Sequence, residues 1–111
     1  MNPNPVEGGL YVTRDEDNTY TVLKVLKVDP GGVHVRQYSN RVIEIPTSLD
    51  SSTLFMAGIH REPNVKLGLG HTPVSHESFS TWPIHFVQCE SVSEEELEGY
   101  NYWKEEDGGY F

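Results

Sequence analysis

The amino-acid sequence predicts a mainly β domain, a small antiparallel barrel or half-barrel with one C-terminal amphipathic helix. Three observations carry that expectation. Residues 20–38 form two runs rich in β-branched and apolar residues, separated by Asp29-Pro30-Gly31-Gly32, and read as a hairpin. Further short apolar runs recur between turns marked by the chain's 10 glycines and 7 prolines. Towards the C-terminus a helix-start signal precedes an apolar stripe at three- and four-residue steps.

Residues 1–8, alternating Asn and Pro, predict a frayed segment, and 10–14 a short strand. Asp15 to Asn18 is an acidic turn that lacks the glycine and distal glutamate of a calcium loop. In the hairpin, proline presets φ and glycine tolerates a positive φ, so Val28 should face Val33 across the turn. With Leu26 opposite Val35, and Val22 and Tyr20 continuing, one face is apolar. The other then carries Lys27 with His34, Val25 with Arg36 and Leu23 with Tyr38. A one-residue slip would mix both faces, which selects this register.

Ser39-Asn40 suggests a bend, 41–45 a strand stopped by Pro46, 47–53 a polar loop and 54–59 another short strand. Residues 67–71 suggest a strand with a bulge, since the paired glycines allow close backbone approach. Ser75 is placed to N-cap a helical turn over 74–79, and the alternation over 83–90 predicts a last strand. Ser93 and Glu96 form a capping box with Val92 and Leu97 as its hydrophobic staple. Leu97, Tyr100 and Trp103 form the stripe of a helix over 92–108. A helix this short is marginal alone, so its stripe must dock, and the hairpin's mixed face is the predicted dock. Tyr100 and Trp103 would cover Leu23, Val25 and Tyr38.

A chain of 111 residues is one domain, 1–111, with 9–91 its β-rich part. Cys89 is its single cysteine, so no internal disulfide forms and a reducing, cytoplasmic location is expected. No signal peptide is read, because residues 1–9 hold no apolar core segment, and no membrane span, because no apolar run reaches about 18 residues. The net charge of −9 is uneven: residues 93–111 hold seven acids against one lysine, which leaves only −3 for the rest. Bulk nucleic-acid binding is disfavoured, since it depends on phosphate neutralisation, whereas a protein partner of basic character is compatible.

Several stretches together resemble a family of small uncharacterised bacterial proteins. They are Gly9-Leu-Tyr-Val12, Lys24-Val-Leu-Lys-Val-Asp29 with Gly32-Val-His-Val-Arg36, Gly70-His71 with Pro73 and Ser75, and Glu94-Glu-Glu-Leu-Glu-Gly-Tyr100 with Trp103-Lys104. The resemblance covers nearly the whole chain and implies no catalytic or binding residues. The early strands are also similar to the SH3-like barrels of Tudor and related modules, though without a clear aromatic cage.

Three sets of residues are candidate sites, and none carries a catalytic or cofactor fingerprint. Lys27, His34, Arg36, Tyr38 and Arg41 set cations beside aromatics, a pattern suited to an acidic peptide, a nucleotide or a short single strand. The bland reading is that the chain's own helix covers that face. His71, His76 and Glu77 could converge on a metal, but their spacing is no established ligand pattern and hydrogen-bonded loop histidines explain them as well. His85 and Cys89 share a strand face roughly 13 Å apart, too far for one ion, and Cys89 reads as a buried, inert thiol. Glu94, Glu95, Glu98, Tyr100 and Trp103 could meet a basic partner, as in immunity proteins that block a nuclease toxin by charge complementarity. A solvated charged face is the plain alternative. The predicted activity is that of a binding or interaction module without cofactor, ahead of an immunity- or inhibitor-type protein and of a small metal-dependent or thiol enzyme.

Overall fold

A computed structural model describes residues 5–111. The described residues hold five antiparallel strands: β1 (Gly9–Arg14), β2 (Tyr20–Val28), β3 (Gly32–Val42), β4 (Leu69–Ser75) and β5 (Ile84–Cys89). Two short helices, α1 (His76–Ser80) and α2 (Glu98–Glu105), and a 3₁₀ turn at Ser51–Thr53 accompany them. The strand order β4-β3-β2-β1-β5 makes one open sheet with β4 and β5 at its edges. No helix among the described residues is long and apolar enough to cross a membrane.

The hairpin turns where the sequence predicts, with Val28 opposite Val33 and Lys27 opposite His34. A bulge then changes the rest. Leu26 and Lys27 together oppose His34, so Val25 meets Val35, Lys24 meets Arg36 and Leu23 meets Gln37. The predicted pairs Leu26–Val35, Val25–Arg36 and Leu23–Tyr38 therefore do not form. An unbroken strand would put Lys24 and Lys27 on opposite faces, one of them among valines, where an unpaired ammonium is expensive. The extra residue sends both lysines to the face of His34, and Leu23 and Val25 to the valines.

Each face of the sheet is covered. On one, Tyr11, Leu23, Val25, Val33, Val35 and Val74 pack with Phe79 of α1 and with Ile84. On the other, Leu10, Val12, Val22 and Tyr38 pack against Leu49, Leu54 and Val87. The 54–59 run packs a half-buried Leu54 there without joining the ladder, and leaves an isolated parallel bridge, Ala57 with Leu67. Residues 39–42 likewise continue β3 and form no separate strand, but the ladder is irregular where the bend is predicted: Tyr38, Ser39 and Asn40 together oppose Val22. Ser39 N–H donates to Phe55 O at 2.8 Å, while Ile43 beyond the strand is exposed.

Of the segment read as frayed, residues 1–4 lie outside the described residues. The remainder is tied in: Gly8 N–H donates to Val25 O at 2.7 Å and Gly8 O accepts from Glu90 N–H at 2.9 Å. Ser75 caps α1 as predicted, accepting from Ser78 N–H at 3.1 Å. The capping box also forms, Glu96 N–H to Ser93 Oγ at 3.2 Å and Ser93 N–H to Glu96 Oε1 at 2.9 Å. The regular helix is shorter than 92–108, because residues 94–97 form turns before α2 begins at Glu98. Asp107, at φ 55°, takes the left-handed position that ends it.

Candidate functional site

α2 docks on the face of His34, not on Leu23 and Val25, which the bulge has moved to the other side. Two devices hold it. Its leading turn is pinned by a buried ion pair, Lys24 Nζ to Glu96 Oε2 at 2.9 Å, with Ser91 O accepting from the same ammonium at 2.8 Å. Burial pushes the Glu96 carboxyl up, but hydrogen bonds from Ser93 and Lys24 outweigh it and hold the pKa below the ordinary value.

The second device is an aromatic box around His34, which is completely buried. Tyr100 and Trp103 of α2 stand edge-on to its ring at centroid distances of 4.6 and 4.5 Å, and Tyr110 lies at 5.2 Å. Tyr110 reaches it because residues 109–111 fold back along the edge of β4, where Phe111 N–H donates to Pro73 O at 3.0 Å. Gly31 and Gly32 leave the room for that ring.

The polar atoms of the box form a chain. Asp29, in the hairpin turn, accepts from Tyr100 Oη at 3.2 Å and from Tyr110 Oη at 3.3 Å, and lies 3.1 Å from His34 Nε2. His34 Nδ1 lies 2.8 Å from His71 Nε2. His71 arrives there through the bulge predicted near 67–71: Gly70 and His71 together oppose Arg36, whose Nε donates to Gly70 O at 3.3 Å. Burial holds His34 below the usual imidazole pKa against the pull of Asp29. Burial, and then His34, hold His71 down at about 4. Both rings are neutral at pH 7. Burial and the Asp29 charge push Tyr110 up to about 12, so its hydroxyl stays a donor.

Outside this box, between the start of β4 and α2, is a groove of about 580 Å³ lined by Arg36, Met56, His71, Glu95, Glu98 and Tyr102, with Gly70 and Gly99 between them. Gly99 lets the helix come close, since a Cβ there would stand 2.7 Å from His71 Cβ. Tyr102 is 67% exposed, an aromatic ring held open beside two carboxylates.

The groove draws one or two residues from each predicted set. Of the first, Arg36 lines it, His34 is sealed behind it, and Lys27 is half-buried opposite His34. Tyr38 is buried in the second apolar layer, and Arg41 pairs at the surface with Asp17 at 3.3 Å. Of the second, His71 lines the groove, whereas His76 Nε2 bonds Asp29 O at 2.7 Å and Glu77 is exposed on α1. Among the described residues no three His, Cys, Asp or Glu side chains gather as a metal site. Of the third, Glu95 and Glu98 line the groove and Glu94 stands beside it, while Tyr100 and Trp103 face inward. Cys89, expected to be buried, is exposed with its Sγ near Glu7 O.

Sequence reasoning missed Asp29, read as a turn former, and Lys24 and Glu96 as contributors. One signal was available: two lysines three residues apart in a strand must split across faces unless a bulge intervenes. Comparison with known proteins gives no match to any family model, curated protein or solved structure.

Proposed function

We propose that this protein is a binding module whose ligand or partner docks in the groove between β4 and α2. The observation that carries the reading is the convergence there of an oriented imidazole, two carboxylates, a guanidinium and an exposed aromatic ring on walls that are fixed in place. Preorganised polar groups around a concave surface are what a specific site needs, since little ordering is left to oppose binding. The reading is tested by an amide-detected NMR screen against small cations, anions and short peptides. Ligands should shift Gly70, His71, Glu98, Gly99 and Tyr102 before other residues. Shifts that leave the groove silent and gather elsewhere would refute it.

A second reading has one specific observation behind it. Glu94, Glu95, Glu98 and Glu105 surround the exposed Tyr102 on the outer face of α2, an aromatic anchor within an acidic ring. An immunity- or inhibitor-type protein would use it on a basic partner. Glu94→Lys with Glu105→Lys should then abolish salt-sensitive association with a basic test protein while leaving the groove titration intact. The same proposal takes in the resemblance to small uncharacterised bacterial proteins, a cytoplasmic location and an SH3-like half-barrel curl. The curl is supported by bulges in three of the four ladders and by a short crossover. Only residues 76–83 join β4 to β5, although four strand spacings separate those edges, about 19 Å on a flat sheet.

A further inference from the structure

We infer that the groove receives one donor-rich cation, the guanidinium or ammonium head of an arginine- or lysine-like side chain; this names the ligand class of the site proposed above and rests on that reading. The proton positions are set outward from Asp29. Its carboxylate can only accept, so His34 Nε2, 3.1 Å away, carries a hydrogen and donates it. The Tyr110 hydroxyl, 2.9 Å from the same nitrogen, directs its own proton to Asp29. A neutral His34 with hydrogen on Nε2 has a bare Nδ1. The ring 2.8 Å from that Nδ1 must therefore donate, which puts the proton of His71 on its Nε2. One tautomer remains for a neutral His71: Nδ1 is an acceptor, and among the described residues no group donates to it.

That nitrogen lies on the Gly99 side of the ring, 3.8 Å from where a Cβ of residue 99 would stand, and Gly99 lines the groove. Glu95 and Glu98 add carboxylates that only accept, and Tyr102 adds an exposed ring face for a cation. Arg36 is the lone cation of the lining, and its Nε is already engaged with Gly70 O. An anion entering here would meet two carboxylates and an imidazole lone pair against the single guanidinium of Arg36. A guanidinium or ammonium would meet three acceptor groups, two of them carboxylates able to take charge-assisted bonds. The Asp29–His34 pair behind fixes the orientation of His71 as an outer-sphere carboxylate–histidine pair fixes a metal-binding imidazole.

The experiment is a nitrogen-15 NMR titration of the His71 ring in the full chain. The probes are N-acetyl-arginine amide, agmatine and N-acetyl-glutamate amide. Both cations should shift His71 Nδ1 and the Tyr102 ring saturably; a response to the amide alone would assign a peptide side chain rather than a free amine. Glu95→Gln with Glu98→Gln, both at exposed positions, should weaken the cation by roughly fivefold without loss of fold. A shift of His71 by the glutamate probe, with the cations silent, would overturn the cation assignment and leave the groove as a binding site. If the double variant binds the cations as well as the parent chain does, the assignment also fails. A groove silent toward all three probes and toward the wider screen would end both readings.

Discussion

Glu96→Gln isolates one charge at the joint that positions α2. The amide keeps a capping-box acceptor for Ser93 N–H, because glutamine serves in that motif as well as glutamate. What disappears is the negative charge facing Lys24, whose side chain is only 6% exposed and whose Nζ bonds both carboxylate oxygens of Glu96 and Ser91 O. Removing one partner of a buried pair costs about 3–5 kcal/mol when the other charge is stranded. Glu96 is 16% exposed, so water offsets part of that, and we expect about 2–4 kcal/mol. Urea unfolding followed by tryptophan fluorescence should show a lower midpoint with an unchanged slope. Lys24→Met in the same background removes the stranded ammonium, so the double variant should be less destabilised than the two single losses added together. The pair also sets an acid limb. Because the folded pKa of Glu96 is depressed, its contribution is present above the unfolded value of 4.5 and is lost as pH falls through the folded value. A Glu96→Gln midpoint within about 0.5 kcal/mol of the parent would refute the reasoning, and with it the claim that this pair fixes one wall of the groove.

Three further outcomes are expected. Trp103→Ala empties one side of the box around His34 and breaks the Nε1–H bond to Gly109 O, and should destabilise by about 3 kcal/mol in the same urea assay. Stability should also fall over a second, less acidic window set by the histidines. Below the ordinary value of 6.5 the unfolded chain takes up protons that buried His34 and half-buried His71 refuse, so stability drops as pH falls from there and the His71 share levels off near 4. Discounted for partial solvation, that share is about 1–2 kcal/mol, and His71→Gln should flatten the limb between pH 6.5 and 4 in unfolding midpoints. Cys89 should be alkylated fully by iodoacetamide in the native state, as mass spectrometry would read, since it is exposed on the edge strand β5. Protection until unfolding would contradict that edge.

Local signals were legible where one short stretch supplies both partners. Ser75 and Ser78, or Ser93 and Glu96, need only a few residues of chain to meet, so their caps follow from spacing alone. The turn at Asp29-Pro30-Gly31-Gly32 and the first pairs beside it are local in the same sense. The candidate site was legible only in pieces, because Arg36, His71 and Glu98 lie on three segments and each looked like part of a different surface.

The sequence by itself determined the strand-rich runs, the helix start, the uneven charge and a hairpin whose valines meet. The tertiary structure decided which face each residue serves. A single extra residue at Leu26 reversed the side-chain alternation of the preceding part of β2, and the need to keep Lys24 out of the valine layer is a constraint felt only once the sheet is packed on both sides. His34 became the hub for the same reason: its partners sit at positions 29, 71, 100 and 110, and only the folded chain brings them to one ring.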